Sequence, residues 1–129
     1  MTSLARLGGL FAATLVLATP VLAQDAAVLK RGQTLTMQCK VCHTFKPGEP
    51  NRVGPNLGGI IGADSATRKG YTNYSPGLKA AKLKWTDANL DKYLTSPAKM
   101  IKGSRMAFAG IAKPEDRAAV IAWLKVNTK

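Results

Sequence analysis

The stretch Gln38-Cys39-Lys40-Val41-Cys42-His43-Thr44 holds both cysteines and the only histidine of a chain of 129 residues. Two thiols three positions apart have several uses. In an exported protein they usually close into a disulfide, and they also serve as a redox-active dithiol or as half of a zinc site. A zinc site asks for four ligands, and this chain offers three soft or nitrogen donors, all local. A thioredoxin-like dithiol asks for a preceding strand within a parallel sheet, and no such pattern precedes Cys39.

The histidine that follows the pair shifts the balance. Cys-x-x-Cys-His is the attachment signature of a c-type haem. Thiols on one helical turn can each form a thioether with a haem vinyl group, which fixes the macrocycle beside His43, whose imidazole becomes the proximal iron ligand.

Upstream, residues 1–23 carry a single charge, Arg6, then the apolar run LGGLFAATLVLATPVLA, with Val21 and Ala23 at the positions a signal peptidase reads. This predicts a secretory signal peptide cleaved between Ala23 and Gln24. A retained anchor is the alternative, but the apolar core is short for a span of ~20 residues and Pro20 interrupts it. No later segment is apolar enough to cross a bilayer, so a soluble domain over residues 24–129, exported to a bacterial periplasm, is expected. Attachment of a c-type haem outside the cytoplasm agrees with that export.

The charge is lopsided, with 19 Lys and Arg against 7 Asp and Glu, a formal +12, and +11 once Arg6 leaves. Such a field attracts anionic partners and says nothing about fold. Nucleic acid fits poorly with an export signal; an acidic protein face or an anionic membrane surface fits better. A domain this small also buries a limited share of its surface. A haem would supply the apolar centre that its few aromatic residues do not.

Downstream, the pattern is helical with long irregular segments. Asp25 to Gln38 carries Val28, Leu29, Leu35 and Met37 at helical spacing. Lys46 to Leu83 is rich in Gly, Pro, Asn and Ser and reads as loop, with one short helix near Gly77 to Ala81. Thr86 is placed to cap a helix over Leu90, Tyr93 and Leu94 that Pro97 stops. Gly103 to Ala112 reads as loop. A last helix opens at Pro114, with Glu115 and Asp116 at its positive end and Lys125 and Lys129 near its negative end.

With these segments in order, the sequence resembles a class I cytochrome c over nearly all of residues 26–129. The motif Cys39-Lys40-Val41-Cys42-His43-Thr44 is followed by VGPNLGG, similar to the family's Gly-Pro-Asn-Leu segment, and GSRMAFAGI is similar to its distal loop. The resemblance implies an all-α fold of three main helices, short helices and long loops wrapped around one covalent haem c. It implies that the Pro55 carbonyl accepts from the His43 ring, that Met106 is the second iron ligand and that Phe108 lies at the haem edge. Tyr74 and Trp85 match residues that bind a buried propionate, and Ser104 matches a hydroxyl on the same side. Two positions depart from the family: Ala63 stands where relatives often carry a propionate-side arginine, and Leu78 where an asparagine is common. One extra residue precedes Tyr74, and Arg68 and Lys69 are the nearby cations available to replace the arginine.

The function implied is that of a monomeric, periplasmic, single-haem electron carrier of a respiratory or related chain, not an enzyme. Its partners would be acidic faces of a cytochrome bc complex, a terminal oxidase or a photosynthetic reaction centre. These faces would meet Lys40, Lys46, Arg52, Lys99, Lys102, Arg105 and Lys113, and neither nucleic acid nor a membrane span is involved. Two alternatives remain: the dedicated acceptor of one exported dehydrogenase, and a haem enzyme or gas sensor. The latter would need an open distal position and a polar distal base, whereas the only histidine is proximal.

Overall fold

The computed structural model describes residues 20–129, with side-chain environments from residue 25 onward. Most of the segment expected to be a signal peptide therefore lies outside the described residues. Five α-helices are found among those described: α1 Pro20–Thr36, α2 Pro76–Ala81, α3 Asp87–Thr95, α4 Pro97–Met100 and α5 Pro114–Asn127. A 3-10 turn, Cys39–Val41, follows α1. One isolated antiparallel bridge, Asp64 with Lys84, is the sole extended pairing among the described residues.

Local chemistry sets most boundaries. Ser75 Oγ accepts from the Leu78 N–H, Thr86 Oγ1 accepts from the Asn89 N–H, and α2, α4 and α5 each open on a proline, whose missing N–H costs nothing in a first helical turn. Helix α1 ends at Thr36, two residues short of the boundary expected at Gln38. Thr36 Oγ1 donates to the Gln33 carbonyl, and the chain then tightens, with the N–H groups of Cys42 and His43 both donating to the Cys39 carbonyl.

Helices α1 and α5 cross in close contact, and α3 packs on α5. The crossing depends on Gly32: a Cβ there would lie 2.2 Å from the Ala119 carbonyl oxygen and 2.7 Å from Trp123 Cβ. An Arg31–Asp116 ion pair links the same two helices. Around the crossing, Phe45 packs edge-on against Trp123 at 5.1 Å, and Val120, Ile121 and Leu124 are buried beside Leu90 and Leu94 of α3. Each large apolar side chain so buried contributes about 1.5–3 kcal/mol.

Arg117 joins α5 to the loop after α4. Its guanidinium, nearly removed from solvent, donates to Asp91 Oδ1 at 2.7 Å and to the carbonyls of Ile111 and Ala112 at 3.0 and 2.9 Å. A buried charge persists only when paired and hydrogen-bonded in this way. The Ile111 N–H in turn donates to the Leu94 carbonyl at 2.8 Å, so the 103–112 loop returns against the end of α3. None of the described helices is long and apolar enough to cross a membrane.

Candidate functional site

Between α3, α5 and the long loops lies a cavity of about 270 Å³. Cys39, Cys42, His43, Pro55, Tyr74, Trp85, Ser104, Met106 and Phe108, scattered over seventy positions of sequence, all line it. The structure thus brings together every residue singled out above for the site. Much of the remaining wall is apolar, with Leu57, Ile60, Leu90, Leu94, Val120 and Leu124.

The 3-10 turn presents the two thiols and the imidazole to this cavity together. Both thiols are free and half-buried, and burial pushes the Cys39 thiol pKa up. His43 Nδ1–H donates to the Pro55 carbonyl across 2.7 Å. That bond fixes the ring and its tautomer and leaves the Nε2 lone pair available to a metal. Burial pulls the His43 pKa down, with the Pro55 bond opposing it, so the ring is held neutral. Pro55 is itself held from behind: the buried Asn56 amide donates to Thr44 Oγ1 at 2.8 Å and to the Lys46 carbonyl at 2.9 Å. No side chain can grow at position 54, where a Cβ would lie 2.4 Å from His43 Cε1.

Met106 sits in the 103–112 loop with its backbone N–H donating to Ser104 Oγ at 3.3 Å. Tyr93, read in the sequence only as a core position of α3, donates its hydroxyl to Met106 Sδ at 3.5 Å, with Ser104 also within its reach. Its ring packs on Trp85 at 4.9 Å. The signal was present: a buried tyrosine hydroxyl needs a partner, and position 93 shares a helix face with Leu90. Met100 lies in α4 and does not line the cavity, and Met37 is exposed.

Polar groups cluster in one part of the wall. Tyr74 Oη accepts from the Arg68 N–H at 3.2 Å, and the Arg68 guanidinium donates to the Gly58 carbonyl. Ala63 and Leu78 both line the cavity, and the Trp85 N–H donates to the Ala63 carbonyl at 2.8 Å. Lys69 is exposed and turned out of the lining. The seven basic residues expected to rim the site are all exposed, and Arg105 lines the cavity as well, held to Asn73 Oδ1 at 2.8 Å.

The donor set fits a haem. Two free thiols stand one turn apart beside an imidazole with one nitrogen committed, a thioether reaches the same space, and an apolar pocket ends in a cation and two aromatic residues with polar tips. This is the site of a c-type haem protein on a mostly helical scaffold. The cytochrome c family profile matches residues 29–127. Cytochrome c2 of Rhodomicrobium vannielii is 40% identical over 94 residues, 73% of this chain and 74% of that protein. Cytochrome c of Arabidopsis thaliana is 41% identical over 101 residues, 78% of this chain and 89% of the relative. Among solved structures, cytochrome cH from Methylobacterium extorquens superposes with a TM-score of 0.71 at 37% identity, covering 77% of this chain and 98% of that one. The chain belongs to the cytochrome c family, within class I, and its cofactor is haem c bound through Cys39 and Cys42.

Proposed function

We propose that this family member is an exported, soluble electron carrier whose haem iron is ligated by His43 and Met106, and that it moves one electron at a time between membrane or periplasmic redox complexes. The observation that carries the reading is that both axial candidates are held from behind, His43 by the Pro55 carbonyl and Met106 by the Tyr93 hydroxyl. A carrier needs its ligands fixed in both oxidation states, so that little rearranges as the electron passes.

A bound haem would supply the ferric–ferrous couple, and ligation by a soft neutral thioether together with an imidazole would favour the ferrous state and raise the potential. The chain's own contribution would be to hold the iron through His43 and Met106 and to keep the ring in an apolar pocket. With no vacant position for oxygen or peroxide and no second histidine to act as a base, the protein is not an enzyme. Residues 1–23 are removed on export, and the 24–129 domain works as a periplasmic monomer. Its basic rim meets acidic faces on a cytochrome bc complex, a terminal oxidase or a photosynthetic reaction centre, through small wet contacts near or below ~1,200 Å².

Purified mature protein tests this in two steps. Denatured chain should keep its haem and show no free thiol; an unmodified chain with a Cys39–Cys42 disulfide would overturn the reading. The ferric protein should show a sulfur-to-iron charge-transfer band that Met106→Ala abolishes and Met100→Ala spares. Tight, fast carbon monoxide binding to the ferrous form near neutral pH would point instead to an enzyme or sensor.

A further inference from the structure

Arg68 is, among the described residues, the one half-buried cation in the cavity wall with no carboxylate beside it. Among the described residues, Asp64, Asp87, Asp91 and Asp116 are taken up by Lys84, Lys125, Arg117 and Arg31. Asp64 also lines the cavity, but its side chain is 66% exposed and its carboxylate is 2.9 Å from Lys84 Nζ. The other cation in the wall, Arg105, is exposed and bonded to Asn73 Oδ1 and the Tyr74 carbonyl. The Arg68 side chain has only a neutral acceptor, the Gly58 carbonyl. A guanidinium carries five N–H donors in a planar fork suited to a carboxylate.

The backbone goes to some trouble to bring it there. Ser65 N–H donates to the Leu83 carbonyl at 2.7 Å, and the Leu83 N–H donates back to Ser65 Oγ at 3.0 Å. Ala66 then adopts a left-handed φ of 59°, a conformation that costs a residue with a Cβ about 1–2 kcal/mol. Thr67 Oγ1 closes the turn on the Asp64 carbonyl at 2.7 Å. Arg68 emerges facing the cavity, with its N–H on the Tyr74 hydroxyl oxygen, while Lys69 points to solvent. Strain of this kind persists where the surroundings over-determine it, commonly at a ligand clamp.

We propose that Arg68 is the counter-cation of a haem propionate, working from a different place in the loop to fill the role for which Ala63 has no side chain. The proposal rests on the haem reading above. The arginine lowers the proton affinity of the propionate that it faces, so that this group stays ionised across the neutral range. The charged and titratable groups around this corner are Asp64, Lys84, Lys69, Tyr71, Tyr74 and Arg105. An inflection that moves with the charge at position 68 belongs to the propionate.

The test is the reduction potential of the holoprotein as a function of pH, in the parent and in Arg68→Gln, Arg68→Lys and Lys69→Gln. Loss of a facing opposite charge raises a carboxyl pKa by about one unit or more. In Arg68→Gln the inflection should therefore move to higher pH, with about a tenfold rise in propionate proton affinity. Arg68→Lys should restore most of the parent profile, and Lys69→Gln should leave it in place. Ala63→Arg added to Arg68→Gln should bring the inflection back down. A profile unmoved by Arg68→Gln, in protein that keeps its covalent haem and its charge-transfer band, overturns the role of Arg68 alone. Lower thermal stability with that same unmoved profile reduces Arg68 to a loop tie on Gly58 and overturns it too. A chain without haem overturns the haem reading and this proposal with it.

Discussion

The hydroxyl of Tyr93 reaches the sulfur of Met106 across 3.5 Å, joining the face of α3 to a loop residue thirteen positions later. Burial pushes the Tyr93 phenol pKa up, so it remains a donor throughout the neutral range. A thioether that accepts a hydrogen bond has less electron density to give to ferric iron.

Tyr93→Phe should therefore lower the reduction potential while leaving Met106 in place. The ring still packs on Trp85, so stability should change by no more than about 1 kcal/mol, the typical net worth of one hydrogen bond. Redox titration alongside thermal denaturation checks both halves. A potential equal to that of the parent would mean that the contact only packs.

Gly54→Ala should be costly because the new methyl meets the imidazole ring itself, 2.4 Å from Cε1. The His43–Pro55 bond would have to lengthen or the loop shift. Overpacking of this kind costs about 1–3 kcal/mol. Denaturant titration of the holoprotein should show that loss, together with a disturbed axial-ligand spectrum. If neither moves, the close approach is not a constraint.

Acid should weaken the domain partly through Asp116, whose carboxyl Arg31 holds below the usual range by a hydrogen bond and by its charge. The folded chain gives up this proton more readily than the unfolded chain, so the pair stabilises above the unfolded value near 4 and fades as pH falls through the lower folded value. Glu49, whose carboxylate accepts from the N–H groups of Lys46 and Phe45, has the same sign. Asp116→Asn should be less stable than the parent at pH 6, and the gap should shrink between pH 4 and pH 2. A gap of constant size on that interval would assign the loss to packing.

Electron transfer to an acidic partner should slow steeply as salt rises, because screening shortens the reach of the basic rim to ~8 Å at physiological ionic strength. Charge reversal at Lys102 or Arg105 should slow it more than reversal at Lys129, which is also exposed but lies at the chain end. Stopped-flow rates that ignore salt, or respond alike to all three reversals, would leave the charge with a role in solubility alone.

Local chemistry made much of this legible in the sequence. The cap at Thr86, the prolines at 97 and 114 and the Cys-x-x-Cys-His turn each act within a few residues, so they can be read without knowing what lies across the molecule. The contacts that hold the candidate ligands from behind are of another kind. The resemblance points to Pro55 and Met106 as candidates, but the support of Asn56 on Thr44 and of Tyr93 on Met106 depends on chain segments meeting in space. Arg68 shows the same limit: its position follows from a left-handed residue at Ala66, and alanine carries no mark of that conformation in a sequence.

The close crossing at Gly32 makes the domain a ring with a seam. Its first and last helices are locked together, and most of the residues that touch the cavity are strung on the arc between them. Loop length can then vary along the arc without disturbing the seam, since closing a slightly longer loop costs little. The rim can thus be rewritten piece by piece, cation by cation, while the two ends that hold the ring shut stay as they are.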